Sequence, residues 1–347
     1  MAAEGLDALL VTSLANIRYL TGFSGSSALV VVTPAETVLI TDFRYQTQVV
    51  EEVGDLARVV IDPVSLWTSL WQQLAGARGV KLVGFEAAHM PHRDFQRLQG
   101  AGSQWQWRQT ADLVERLRER KDESEVALIE RAAGVATRAL ARTLEVVHAG
   151  MSELEVAGAL EHALRDEGSE GFAFATIIAS GARAALPHAQ PTGHRVETGD
   201  FLLFDFGAVV DGYCSDVTRT VVVGQATDEQ RQVYDVVRSA NEAASAAVHA
   251  GMTGRDADAV ARSYIERHGL GELFGHSLGH GIGLEVHEAP RLARTNEQPL
   301  PMGAVVTIEP GVYRVGWGGV RIEDDVWLGP ENTRILTEFP RELLELV

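Results

Sequence analysis

The sequence predicts an α/β (α+β) protein of two domains. Residues 1–120 read as a mixed-sheet N-terminal α/β domain, and residues 121–347 as a C-terminal domain made of two duplicated, pseudo-two-fold-related halves. Three observations lead there. Short Val/Ile/Leu-rich runs alternate with amphipathic stretches over roughly the first 115 residues. A charged segment then leads into a helix-opening signal. Beyond it, one local pattern occurs twice, 101 residues apart.

In chain order, DALLVT (7–12), ALVVVT (28–33), ETVLIT (36–41), ARVVID (57–62) and VKLVGFE (80–86) have the composition of strands. NIRYLTGF, FRYQTQVVEEV and PVSLWTSLWQQLAG connect them as helical or loop segments. After VERLRERK, Asp122 with Glu125 three residues on has the form of a capping box, which opens a long helix and sets the domain boundary near residue 120. His148-Ala149-Gly150-Met151-Ser152 returns as His249-Ala250-Gly251-Met252-Thr253. Each copy ends one helical pattern and caps the next, through Ser152 with Glu155 and through Thr253 with Asp256. Downstream, Gly199–Asp205 aligns with Gly303–Glu309, each an apolar strand running into a carboxylate. Such a duplication implies two related halves with a site between them.

Composition narrows the function classes. Lys+Arg 30 against Asp+Glu 48 gives a formal charge of −18, which argues against a nucleic-acid binder tracking phosphates. No apolar run approaches the ~20 residues of a membrane span. The opening MAAEGLDALLVTS has no basic leader. The single cysteine, Cys214, excludes intramolecular disulfides and Cys-rich metal sites. A cytoplasmic protein is expected.

The chemistry concentrates in acids and histidines. In FLLFDFGAVVDGYCSDVTRTVVV, Asp211-Gly212 is a two-residue hairpin tip that sets Val210 opposite Tyr213 and Asp205 opposite Thr218. Asp216 then lies diagonal to Asp205 on the same face, about 7–8 Å away at the backbone. Two aspartates converging inside apolar strands repel and desolvate badly, and a cation between them removes both penalties. Glu309 ends AVVTIEPG, and Glu323 opens the triplet Glu323-Asp324-Asp325 inside VRIEDDVWL, of which one or two members are expected to face solvent. Between them, FGHSLGHGIGLEVHEAP holds His276, His280 and His287 among four glycines, a pattern of close backbone approach. One imidazole with four carboxylates suits two divalent ions such as Mn²⁺, Co²⁺ or Zn²⁺.

These segments, DFGAVVDGYCSDVTRT, GHSLGHGIGLEVHE, TIEPGVY and GGVRIEDDV, resemble in type and order the pita-bread metallopeptidases: prolidases, aminopeptidase P and methionine aminopeptidase. The resemblance covers about residues 122–330 and implies a pita-bread C-terminal domain. It also implies metal ligands at Asp205, Asp216, His280, Glu309 and Glu323, with Asp216 and Glu323 bridging two ions per subunit, Mn²⁺ foremost. Glu309 would move the proton. By the same resemblance His188, in Leu186-Pro187-His188, and His287 act on the scissile bond, and His276 stands beside the substrate. Arg321 would orient Glu323 or the substrate, and Arg291 would receive a proline carboxylate. Asp42 and Arg44 in TDFRYQTQ resemble a segment reaching a partner's site in a homodimer.

The implied activity is metal-dependent hydrolysis of Xaa-Pro dipeptides, with aminopeptidase P-type action on longer peptides as the alternative. The substrate is then a small peptide with proline second, and neither nucleic acid nor membrane is a partner. Methionine aminopeptidase fits less well, because a whole α/β domain precedes the site. A non-catalytic binding module on the same fold would show lost ligands, and none is lost. Gly275-His276-Ser277-Leu278-Gly279 also matches the G-x-S-x-G nucleophile elbow. That motif needs a following helix and a later acid and histidine, whereas glycines follow here and His287 is the last histidine.

Overall fold

The structure is a computed structural model that describes residues 1–346. The chain divides into two compact units, Met1–Arg118 and Glu119–Val347.

The first unit is a six-stranded mixed sheet: β1 Ala8–Val11, β2 Ala28–Val32, β3 Thr37–Asp42, β4 Arg58–Asp62, β5 Leu82–Glu86 and β6 Gln106–Thr110, in the order β4-β3-β2-β1-β5-β6. Its helices are α1 Leu14–Thr21, α2 Gln48–Val53, α3 Leu66–Gly76, α4 His92–Gly100 and α5 Glu115–Arg118. Strand alternation sorts the core onto two faces. Leu10, Val31 and Ile40 pack with Leu70 and Leu74 on one side, while Leu9, Val30 and Leu39 pack with Ile17 and Val49 on the other. The sequence reading lacks β6, because QWRQT mixes tryptophan with polar residues and forms a largely exposed edge.

The second unit opens with α6 Glu123–Leu144, whose capping box joins Asp122 and Glu125 as expected, and α7 Glu153–Asp166, capped by the Ser152–Glu155 box. Strands β7 Ile177–Ser180, β8 Phe201–Phe206, β9 Val209–Val210, β10 Tyr213–Cys214 and β11 Val217–Val223 complete the first half. The second half repeats the helix pair as α8 Asp228–Ala247 and α9 Gly254–Arg267, and Thr253 caps α9. It continues through β12 Gly279–Gly281, β13 Glu288–Leu292, β14 Val305–Ile308, β15 Gly311–Arg314, β16 Gly318–Arg321, β17 Asp324–Leu328, β18 Thr333–Ile335 and β19 Glu345–Leu346. Two larger sheets result, β19-β11-β8-β7 and β13-β12-β14-β17-β18, beside the two-stranded ribbons β10-β9 and β15-β16.

The duplication is visible in matched backbone bonds. Gly150 N donates to Val196 O and Gly251 N to Leu300 O, both at 2.8 Å; Val196 N and Leu300 N answer onto Met151 O and Met252 O at 2.9 and 2.8 Å. Each half therefore carries one helix pair on its sheet, and the two sheets meet where Thr218 bridges Glu323. No helix among the described residues is long and apolar enough to cross a membrane.

Candidate metal centre

The hairpin that carries the first two carboxylates has the register its turn dictates. Asp211 and Gly212 both take positive φ, 47° and 78°, and the ladder pairs Val210 with Tyr213 and Asp205 with Thr218. Asp205 thus sits in β8 and Asp216 immediately before β11, both buried. His280 is the middle residue of β12. A Cβ at Gly279 would lie 1.9 Å from Thr307 O and one at Gly281 would lie 2.1 Å from Ala289 O, so only glycines let this short strand enter. Glu309 follows β14, and Glu323 joins β16 to β17.

These side chains converge. One ligand atom from each of Asp216, His280 and Glu323 lies within 4.8 Å of the others. Nε2 of His280 is 3.8 Å from Asp216 Oδ2 and 3.5 Å from Glu309 Oε1. Its Nδ1 lies 3.0 Å from Gly281 O, which can only accept, so Nδ1 carries the proton and the Nε2 lone pair faces carboxylate oxygens. Asp216 Oδ1 is buried with no hydrogen-bond partner among the described residues. Burial, with Glu323 and Asp205 adding negative charge, pushes the Asp216 carboxyl well above its ordinary range. Burial, with Glu309 and Asp205, does the same to Glu323. Burial raises Glu309 to about 8 and lowers His280 to about 4. A lone pair aimed at anions and an orphaned carboxylate oxygen are satisfied together by divalent cations, and the hard oxygen-rich donor set fits them.

Asp205 is not an unpaired aspartate. Arg321 Nη2 donates to its Oδ2, and the guanidinium opposes the upward shift that burial imposes on it. Arg321 therefore bonds Asp205 directly and reaches Glu323 through Thr218. Its Nε donates to Thr218 Oγ1 at 3.1 Å, and that hydroxyl donates to Glu323 Oε2 at 2.5 Å. Arg321 Nη1 donates to Tyr313 OH at 2.7 Å, and Tyr313 OH is 3.0 Å from His276 Nε2. His276 Nδ1 bonds Ser277 O at 2.8 Å, so Nε2 accepts from the phenol. Burial lowers His276 to about 4 and raises Tyr313 to about 12.

The expectation that part of the acidic triplet faces solvent is incorrect, since Glu323, Asp324 and Asp325 are all buried. Asp324 is ion-paired to Arg219 and Arg341, and Asp325 Oδ2 accepts the Asp216 N–H at 3.0 Å. Strand alternation sends Asp324 to the face away from the site, where arginines meet it.

Of the remaining predicted residues, His287, His188 and Arg291 lie around this centre. His287 is exposed, with its ring 4.4 Å from that of His280. Exposed His188 is close enough for its charge to act on Asp205, His276 and His287, and exposed Arg291 acts likewise on His280, His287 and Glu309. Asp42 and Arg44 belong to the first unit, where they form a bidentate pair at 2.8 Å. Ser277 is followed by β12 and not by a helix.

Sequence reasoning missed Tyr313, Thr218 and the Asp258–Arg262 pair of α9. Arg262 grips Asp258 at 2.6 and 2.7 Å and donates to Phe274 O and His276 O at 2.8 and 2.7 Å, while Asp258 Oδ1 accepts from Leu278 N at 3.0 Å. An acid and a base four apart on a helix ordinarily mark a solvated face. The available signal is that both residues adjoin the buried stripe Ala257, Ala261 and Ile265. Arg262, Phe274, His276 and Ser277 line a cavity of about 1040 Å³.

Comparison with known proteins agrees with this geometry. Residues 127–330 match the model of metallopeptidase family M24, and residues 1–120 match the creatinase/prolidase N-terminal domain. A Xaa-Pro dipeptidase from Bacillus anthracis superposes with a TM-score of 0.96 at 38% identity, covering 99% of this chain and 96% of that one. An X-Pro aminopeptidase from Thermotoga maritima gives 0.92 at 39%, covering 99% and 97%. A Xaa-Pro dipeptidase from Pyrococcus horikoshii is 34% identical over 99% of this chain and 96% of its own length. With the creatinase/prolidase-type N-terminal domain and the M24 match over most of the second unit, the chain belongs to metallopeptidase family M24.

Proposed function

We propose that this protein hydrolyses the Xaa-Pro bond of dipeptides at the centre formed by Asp205, Asp216, His280, Glu309 and Glu323. The observation that carries this reading is the buried cluster in which Nε2 of His280 faces the Asp216 and Glu309 carboxylates and Asp216 Oδ1 has no hydrogen-bond partner among the described residues. These five residues would hold two divalent ions, Mn²⁺ foremost with Co²⁺ or Zn²⁺ as alternatives. Bound there, the ions supply Lewis acidity to a carbonyl and lower the pKa of water.

The chain's own groups do the rest. Glu309, ionised when it holds the ions, takes a proton from the attacking water and returns it to the departing nitrogen. That nitrogen belongs to proline and leaves as a secondary amine, so proton delivery to it is required. His287 and His188, neighbours at the exposed side of the cluster, donate to the developing oxyanion. The Arg321–Tyr313–His276 relay fixes the imidazole that faces the substrate. Arg291 receives the free carboxylate of the dipeptide, and the −18 net charge of the chain makes such a local cation useful for an anionic terminus. The same reading includes a homodimer in which the Asp42–Arg44 pair of one protomer approaches its partner's site, and a cytoplasmic location.

Removal of one N-terminal residue from longer peptides is the second reading, favoured by the likeness to the Thermotoga maritima X-Pro aminopeptidase. The two separate on Ala-Pro against Ala-Pro-Ala, assayed with EDTA-stripped protein given Mn²⁺. Release of proline from Ala-Pro supports the dipeptidase; preferential cleavage of the tripeptide moves the assignment to the aminopeptidase. No cleavage of either with Mn²⁺, Co²⁺ or Zn²⁺ overturns both.

A further inference from the structure

Arg219, in the middle of β11, is almost wholly buried with its guanidinium on the face opposite the site. Strand alternation puts it there, because its neighbour Thr218 points toward Asp205 and Glu323. All five of its N–H groups are used. Nε donates to Pro340 O at 2.9 Å; Nη1 donates to Thr218 O at 2.9 Å and Glu323 O at 2.7 Å; Nη2 donates to Asp324 Oδ1 at 2.7 Å and Phe339 O at 2.9 Å. The other oxygen of Asp324 accepts from Arg341 Nε at 2.7 Å. One guanidinium thereby gathers three stretches of chain: β11, the β16–β17 junction and segment 339–341.

The two carbonyls on Nη1 are those of Thr218 and Glu323, the residues whose side chains are bonded at 2.5 Å on the opposite face. Thr218 O also accepts the Glu323 N–H at 3.1 Å, the bond of the bridge that joins the two sheets. Arg219 thus grips the backbone of Glu323 from the face opposite its carboxylate. Segment 337–346 is held to the same crossing, through Asp325 N donating to Thr337 Oγ1 at 3.0 Å and through β19 alongside β11.

We propose that Arg219 is a positioning residue for the metal centre, and that docking of segment 339–341 onto Arg219 and Asp324 sets how tightly the centre holds its ions. The inference rests on the metal-centre reading above. Groups that orient ligands from outside the coordination shell typically change metal affinity 10- to 100-fold when removed. Lysine at 219 keeps the charge but has three donors on a flexible stem, so it cannot serve five fixed acceptors.

The test uses the full chain, stripped with EDTA and titrated with Mn²⁺ by calorimetry, together with the visible absorption of the Co²⁺-loaded protein. Arg219→Lys is expected to bind Mn²⁺ about 10–100-fold more weakly than wild type and to alter the Co²⁺ spectrum. Arg341→Ala, which removes only one bond to Asp324, gives a smaller change in the same direction and carries the test should Arg219→Lys not fold. Leu140→Ala, in the core beneath the first-half sheet, lowers thermal stability without touching the crossing and should leave both readouts at wild-type values. Wild-type affinity and spectrum in both arginine variants overturns the proposal, as does equal weakening by Leu140→Ala. Wild-type protein that binds neither ion overturns the metal centre itself, and the inference with it.

Discussion

A carboxylate set aside for a metal should weaken the metal-free fold, and Glu309 allows the size of that effect to be worked out. Burial raises its carboxyl from 4.5 in the unfolded chain to about 8 in the folded protein. The folded pKa lies above the unfolded one, so ionisation opposes folding. The penalty is absent below about pH 4.5, grows through the window from 4.5 to 8, and is constant above it. At pH 7 the linkage amounts to roughly 3 kcal/mol, a large part of a total stability of about 5–15 kcal/mol. Glu309→Gln removes the ionisation and keeps the shape. EDTA-treated Glu309→Gln should therefore be close to wild type at pH 4.5, more stable by roughly 3 kcal/mol at pH 7, and more stable by roughly 4 to 5 kcal/mol at pH 8 and above. With saturating Mn²⁺ the order should reverse, because the wild type gains binding energy that the variant has lost. Urea unfolding followed by circular dichroism at pH 4.5, 6, 7 and 8 measures this. A difference that does not vary with pH, or a metal-free variant less stable than wild type at pH 8, would refute the argument that the site is built against its own stability.

Other outcomes follow from the same structure. Arg262→Met leaves the Asp258 carboxylate buried without its cation and two carbonyls without donors, so it should cost about 3–5 kcal/mol in urea unfolding. Adding Asp258→Asn should recover part of that loss, and fully additive losses would refute the coupling. Tyr313→Phe removes the bridge between Arg321 and His276. At about 1.5–3 kcal/mol for a bond to a charged group, kcat/KM on Ala-Pro should fall about 10- to 150-fold with metal affinity unchanged. Ser277→Ala should hydrolyse Ala-Pro at the wild-type rate, and a thousandfold loss would bring the serine-hydrolase reading back.

Much was legible in the chain because the determining physics is local. The Asp211-Gly212 turn permits only one pairing of the flanking strands, which sets Asp205 opposite Thr218 before any tertiary contact is considered. The capping boxes at Asp122 and Ser152 declare where helices begin, and the repeat at 148 and 249 declares the duplication. The gathering of acids was also legible, since carboxylates are rare inside β-rich runs, and Asp216 and Glu323 meet His280 in one buried cluster.

The tertiary structure alone decided which partner each buried charge takes. Arg321 is two residues from Glu323 in sequence yet bonds Asp205, because β16 and β8 are brought together from opposite halves of the domain. Asp324 and Asp325 look like solvated acids in sequence. They are buried because Arg219, Arg341 and the Asp216 amide reach them from positions 17 to 109 residues distant. Asp258 and Arg262 read as an exposed helical pair until the loop carrying His276 lies down on them. Sequence by itself determines propensity, turn geometry and residue chemistry, all carried by neighbours along the chain. Pairing of buried charges depends on which backbones desolvate which groups, and that is set only when distant segments close on one another.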